Sequence, residues 1–419
     1  MYATIVYTCE GHLHQRLSAQ EIQLLQCIIM NYQRTKIACY LGFVTQAITA
    51  NFAPLLFVLF HRQYNISLAS LALVPAVFYI VQMSVDFLCA HFANLNYRRS
   101  IIISEITSAV GLIGLTFVPD LCPNPLVGLL LCVSVYSVGS GLIEVLCSPI
   151  IEACPFPNKE GMMSLLHSFY CWGAVGVILG STLFFYFFGV GSWRYLALIW
   201  ALVPLYNIYN FSVCPIEPIV SEGKGQSMTQ LFRNRLFWLF ILLMIAAGAS
   251  EASMAQWTSA FAEASLGVSK TVGDLFGPCG FAFCMGLGRL WYGKRGSHVP
   301  LAKYMTFSGM LCLAGYLTAA LSPIPPLALA GCMLSGLAVG IMWPGTISLS
   351  VGHVPNGGTT LFALLALAGD VGGTLGPSFV GMFTRSEANG MSSGILSASF
   401  FPLLLIVCLV ILLVGVNKQ

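Results

Sequence analysis

Charge is what this sequence has least of. Of its 419 residues, 18 are Lys or Arg and 15 are Asp or Glu, or 8 %, against roughly a quarter in soluble domains. So few charges cannot cover the surface of a water-soluble globule of this length. Disorder is excluded as well, because it requires low hydrophobicity and 57 % of this chain is apolar. No Lys/Arg-rich block exists to follow a phosphate backbone, so no nucleic acid is expected as a partner. The P-loop, HExxH, GxSxG and a complete GxGxxG are also missing, which argues against an enzyme or a self-contained ATP-driven pump. The 15 cysteines make no CxxC pair and no metal-ligand spacing. They read as small apolar packing residues, with no metal or cofactor expected.

What is present is a succession of apolar segments of membrane-spanning length, about 20 residues each. Charges punctuate them. Lys36 and Arg62 bracket a first span, and Arg62 and Asp86 a second. Further spans are predicted near 100–119, 126–153, 162–189, 191–213, 234–262, 270–293, 301–321, 326–352, 358–384 and 391–416. The expected fold is an all-α membrane protein with twelve transmembrane helices in two six-helix halves. Residues 35–213 and 233–419 form the halves, and the polar stretch 214–232 links them on the cytoplasmic side. Residues 1–34 form a cytoplasmic lead-in, with 1–29 expected to be a dispensable extension. The halves share a motif: residues 173–180 and 369–376 both read GxVGxxLG, in spans five and eleven. Matching positions in two halves point to a parallel repeat. With the N-terminus in the cytoplasm, only Arg62, Arg194, Lys270 and Arg385 of the 18 cations fall outside. That bias puts both termini in the cytoplasm. A monomer in the plasma membrane, surrounded by the lipid bilayer, is expected.

Charge inside hydrocarbon costs about 2.5–3.5 kcal/mol on insertion scales, so each acid within a span needs a reason. Three are deep: Glu144 in span four, Glu251 in span seven and Asp370 in span eleven. Ser137, Gly141, Glu144 and Ser148 share one helix face. Glu144 therefore reads as a proton or substrate carboxyl, or as a buried carboxyl bonded to another helix. Glu251 lies in a small-residue run followed by Gln256 and Trp257. An acid, an amide and an indole suit a sugar-like ring; an interhelical anchor is the other reading. Asp370 sits in the break Gly369–Pro377. Close packing explains those glycines but not the acid, which reads as gating or binding. All three acids are candidates for proton coupling.

Further polar or aromatic candidates for binding are Gln46, Asn51, Gln82, His167, Tyr170, Trp172 and Trp343. His167 is either a proton relay or a structural histidine. Asp86, Arg98, Arg99, Glu105 and Glu152 fall at predicted inner ends, as a charged cytoplasmic gate or as snorkelling termini.

Twelve spans, two parallel halves and a central linker together resemble the major facilitator superfamily, over about residues 35–416. HFANLNYRRS (91–100) resembles the superfamily's loop between the second and third spans. Arg98 and Arg99 match, while Asn94 and Asn96 replace the usual Asp and Gly. GLGRLWYGKRG (286–296) looks like its second-half counterpart and adds Arg289 to the gate. GSGLIEVLCSP (139–149) is similar to the fourth helix of the fucose–proton symporter family. That resemblance implies a proton- or sugar-site role for Glu144. The family's acid after an Asn in the first span is absent, since Phe52 follows Asn51, so Glu251 or Asp370 would supply the second acid.

The expected function is secondary active transport of a small polar solute, sugar-like first, by alternating access. The transmembrane proton gradient is the expected drive, with sodium as the other candidate. Alternatives are a proton-coupled exporter of apolar compounds, a membrane receptor that binds solute without moving it and, last, a membrane-embedded enzyme.

Overall fold

A computed structural model describes residues 19–71, 73–92, 95–217, 225–269, 272–273, 275–384 and 390–416. Asn94, Lys270, Arg385, the first 18 residues and residues 218–224 of the linker lie outside them. The described residues are helical apart from short connections. Helix α1 runs Ala19–Leu55 and continues, after a 49° bend, as Phe57–Tyr64. The helix thus already covers much of the expected lead-in. Pro54 lies just before the bend, where its ring removes a helical hydrogen bond. Next come α2 (Leu73–His91), α3 (Tyr97–Gly114), α4 (Pro125–Ala153), α5 (Lys159–Phe188) and α6 (Trp193–Val213). The second set is α7 (Arg235–Ala264), α8 (Gly280–Arg295), α9 (Leu301–Leu321), α10 (Pro325–Val339 and Met342–His353), α11 (Gly358–Phe383) and α12 (Gly390–Ala398 and Phe400–Val416).

Among the described residues, nine helices are long and apolar enough to cross a membrane, and the bent α1 makes ten. The other two spans are α3 and α8. The first carries Arg98, Arg99 and Glu105, and the second has 16 residues including Arg289, Lys294 and Arg295. Ile80, Leu183, Phe187, Leu202 and Ile411 are more than half exposed, as lipid-facing side chains are in a structure without its bilayer.

The second span corrects the sequence reading. It was expected between Arg62 and Asp86 but runs Leu73–His91. Arg62 lies in the helical continuation of α1, and Asp86 lies inside α2, so neither charge marks an end of the second span.

Packing repeats at a spacing of six helices. α1–α5, α2–α4, α3–α4 and α3–α6 recur as α7–α11, α8–α10, α9–α10 and α9–α12. The GxVGxxLG motif contributes at both places. A methyl at Gly173 would press on Val44 and Ala47 of α1, and one at Gly376 would lie 2.6 Å from the Ala249 carbonyl oxygen of α7. Small residues thus seat α5 on α1 and α11 on α7, where backbones approach closely. Between halves, α2 and α4 pack on α11, and α5 packs on α8 and α10.

Candidate functional site

Four helices deliver one polar network to the middle of the bundle. Gln46 of α1 and Gln82 of α2 each donate an amide hydrogen to Glu144 Oε2 of α4, both at 2.7 Å. The Gln82 amide also donates to Asp370 Oδ2 of α11 at 2.9 Å. The Gln82 carbonyl oxygen accepts from Ser140 Oγ at 2.9 Å. Gln82 therefore uses both donors and its acceptor. Its amide ties a carboxyl of the first half to a carboxyl of the second. All four side chains are nine-tenths or more buried. Helical periodicity also places Ser148 on the Glu144 face, where its hydroxyl lies 3.3 Å from His167 Nε2 of α5. The His167 ring meets Phe43 edge-on at 4.8 Å.

Helix α2 shows how burial deepens around this site. Tyr79, Gln82 and Asp86 follow at i, i+3 and i+7 on one face, and their exposures are 41 %, 3 % and 0 %. Tyr79 lies within the electrostatic reach of Asp370, Glu144 and Glu251. Asp86, expected at an inner end in a gate, is instead fully buried, one turn beyond Gln82.

A second cluster surrounds Arg289, also expected at an inner gate. The guanidinium is 3 % exposed and pairs with Glu251 of α7 at 3.0 Å. It also donates to the Gly340 carbonyl of α10 at 3.0 Å, and to the His167 carbonyl and Cys171 Sγ of α5 at 3.1 and 3.2 Å. A binding candidate and a gate candidate are thus one ion pair. Its cation reaches across the halves into α5.

The other candidates are dispersed. Tyr170 is half-buried within the electrostatic reach of both Glu251 and Glu144. The Trp343 indole lies on Gly369 beside Asp370. Trp257 donates its indole hydrogen to the Pro377 carbonyl at 2.9 Å, pinning α7 to α11, and Gln256 is exposed. Trp172 meets Phe283 edge-on at 5.8 Å in the α5–α8 contact. The Asn51 amide turns back to the Ala47 carbonyl of its own helix.

The ends carrying Arg98, Arg99, Lys159, Lys294 and Arg295 form a basic end. Arg98 departs from the expected charge gate. It donates at 2.8–2.9 Å to the carbonyls of Phe211, Ser212 and Cys214. It therefore caps the C-terminus of α6, where orphan carbonyls and the helix dipole favour a cation. The Arg99 side chain is exposed. Lys159 donates to the backbone carbonyls of Glu152 and Cys154, and Glu152 Oε2 has no hydrogen-bond partner. The halves meet here through other groups. Tyr97 of α3 bonds Thr359 of α11 at 2.5 Å, and Tyr292 of α8 donates to Glu160 of α5 at 2.9 Å. Ser164 of α5 donates to the Arg289 carbonyl at 2.8 Å. Tyr79, Ser140 and Thr359 were not singled out from sequence. Only Tyr79 had a signal there, its helical spacing from Gln82 and Asp86.

Comparison with known proteins agrees with this architecture. Residues 38–377 match the Major Facilitator Superfamily. No curated protein matches the sequence. Among solved structures, the Escherichia coli fucose:proton symporter FucP superimposes with a TM-score of 0.74 at 15 % identity, over 90 % of this chain and 98 % of that one. The proton:xylose symporter XylE, bound to 6-bromo-6-deoxy-D-glucose, gives 0.77 at 12 % identity over 92 % and 96 %. The human organic anion transporter MFSD10 gives 0.67 at 14 % identity over 90 % and 99 %. At such identities these likenesses speak for the fold alone. With the family match covering most of the spans, and the helices packing as two sets of six, this chain belongs to the major facilitator superfamily as a multi-pass membrane transporter.

Proposed function

We propose that the protein carries a small polar solute, a sugar first, across the plasma membrane by proton-coupled symport. The observation that carries this reading is the Gln82 amide shared between Glu144 and Asp370. Charge is costly inside the bundle and binding a proton removes it, so the protonation of Glu144 bears on how readily the halves close around the site. A midplane site between repeats is where alternating access requires it. The acceptors and donors of Gln46, Gln82, Glu144 and Asp370 suit hydroxyl groups and disfavour an apolar cargo. The fucose and xylose symporters among the structural neighbours support the same choice.

The Lys and Arg bias favours placing the basic end in the cytoplasm. On that reading the cross-half contacts Tyr97–Thr359, Tyr292–Glu160 and those of Arg289 form an inner closure.

The test is Glu144→Gln in liposomes, assayed with radiolabelled sugars and sugar acids. Accumulation driven by a pH gradient is expected to be lost, while solute exchange at equal pH is retained. Full pH-driven accumulation by the variant contradicts the carrier role.

A further inference from the structure

The three deep carboxyls at the centre of the bundle are served by donors, and Asp86 is not. Glu144 accepts from two amides, Asp370 from Gln82, and Glu251 from Arg289. Asp86 is 0 % exposed, and neither of its oxygens has a hydrogen-bond partner. An unserved carboxylate ion in such a place is strongly disfavoured, whereas a neutral carboxylic acid is tolerated. Helix α4 brings Glu144 and α11 brings Asp370, both of the same sign. On α2 itself Cys89 follows on the same face and is buried. A proton, which neutralises the carboxyl without needing further ligands, is the ion such a place suits.

Its place in the fold is equally specific. Asp86 lies one helical turn from Gln82 toward the basic end, and exposure along this face falls from Tyr79 through Gln82 to none at Asp86. Beyond it the halves are closed by the Tyr97–Thr359 contact.

We propose that Asp86 is a second proton station of the transport cycle, closed from both sides in this state and opened to the basic end when α2 and α11 part. This rests on the proton-coupled reading above. In the step at the basic end, the Asp86 O–H bond breaks and the proton passes to water, leaving the carboxylate. Refilling breaks an O–H bond on Glu144 or Asp370 as the Asp86 O–H forms. The transmembrane proton gradient supplies the drive.

The test needs no solute. Purified protein in lipid is examined by infrared spectroscopy for the C=O stretch of a protonated carboxyl. Asp86→Asn is expected to lose one such band, and Glu144→Gln to retain it. In D2O that band should shift slowly in the wild type. In the double variant Tyr97→Phe, Thr359→Val, which lacks the hydroxyl contact at the basic end, it should shift at least tenfold faster. Asp86→Glu, which keeps the carboxyl, should move the band rather than remove it, and serves if the Asn variant does not fold. Identical carboxyl spectra for wild type and Asp86→Asn, or an exchange rate unchanged in the double variant, overturn the proposal. Failure of wild-type protein to accumulate solute on a pH gradient counts against proton coupling instead, and the carboxyl spectrum still decides whether Asp86 holds a proton.

Discussion

Two buried carboxyls of the first half make similar bonds and differ in what else their donors hold. Glu144 accepts from Gln46 and Gln82, and the second Gln82 hydrogen goes to Asp370 in the other half. Glu105 accepts from Thr45 of α1 at 3.0 Å and from Asn207 of α6 at 2.7 Å. The same Asn207 amide also donates to the Ala38 carbonyl of α1. Every partner of Glu105 named here lies in the first half. A rocking of the halves stretches the Gln82–Asp370 bond and leaves the Glu105 bonds alone. The carboxylate chemistry alone therefore does not distinguish the two. In the proposed mechanism the donor shared across the boundary between the halves does.

The cations divide the same way. Arg289 reaches from α8 into α5 and crosses the boundary, whereas Arg98 joins α3 to the end of α6 and stays within one half. The largest effect should come from breaking the crossing pair. Arg289→Leu leaves Glu251 without its cation and two backbone carbonyls without a donor. Removing one partner of a buried pair costs about 3–5 kcal/mol. A thermal unfolding midpoint in detergent should fall sharply, and Arg289→Lys should recover only part of the loss.

Glu105→Gln comes next. The Gln side chain has one oxygen to serve two donors, so one donor is left poorly placed at a cost of about 1–3 kcal/mol. The unfolding midpoint should fall while the pH response of transport stays as in the wild type. Arg98→Gln should be the mildest, removing a cation from a helix C-terminus worth about 0.3–1 kcal/mol. A midpoint loss from Arg98→Gln as large as that from Arg289→Leu would break the distinction between crossing and internal contacts.

Much of this was legible in the residues, for physical reasons. Apolar runs located nine of the twelve spans to within a few residues, because lipid tolerates little else; the first helix begins earlier, at Ala19, the second runs Leu73–His91 and the eighth begins at Gly280. Gln46, Gln82, Glu144 and Asp370 stood out as polar groups in apolar runs, and the structure brings them together. Asp86 escapes the same rule, since a charge in sequence suggests a boundary and this one is buried within α2. The Glu251–Arg289 pair was unreadable because it depends on how α7 and α8 pack, not on either sequence segment. The partners of Arg98 are backbone carbonyls, which every residue has and no composition reveals.

The central claim is that Glu144, and not Glu105, responds to the proton gradient. Glu144→Gln and Glu105→Gln should be compared in the same liposomes, for pH-driven accumulation and for exchange at equal pH. The account expects Glu144→Gln to lose accumulation and keep exchange, and Glu105→Gln to keep both. Loss of accumulation in Glu105→Gln with its retention in Glu144→Gln would contradict it.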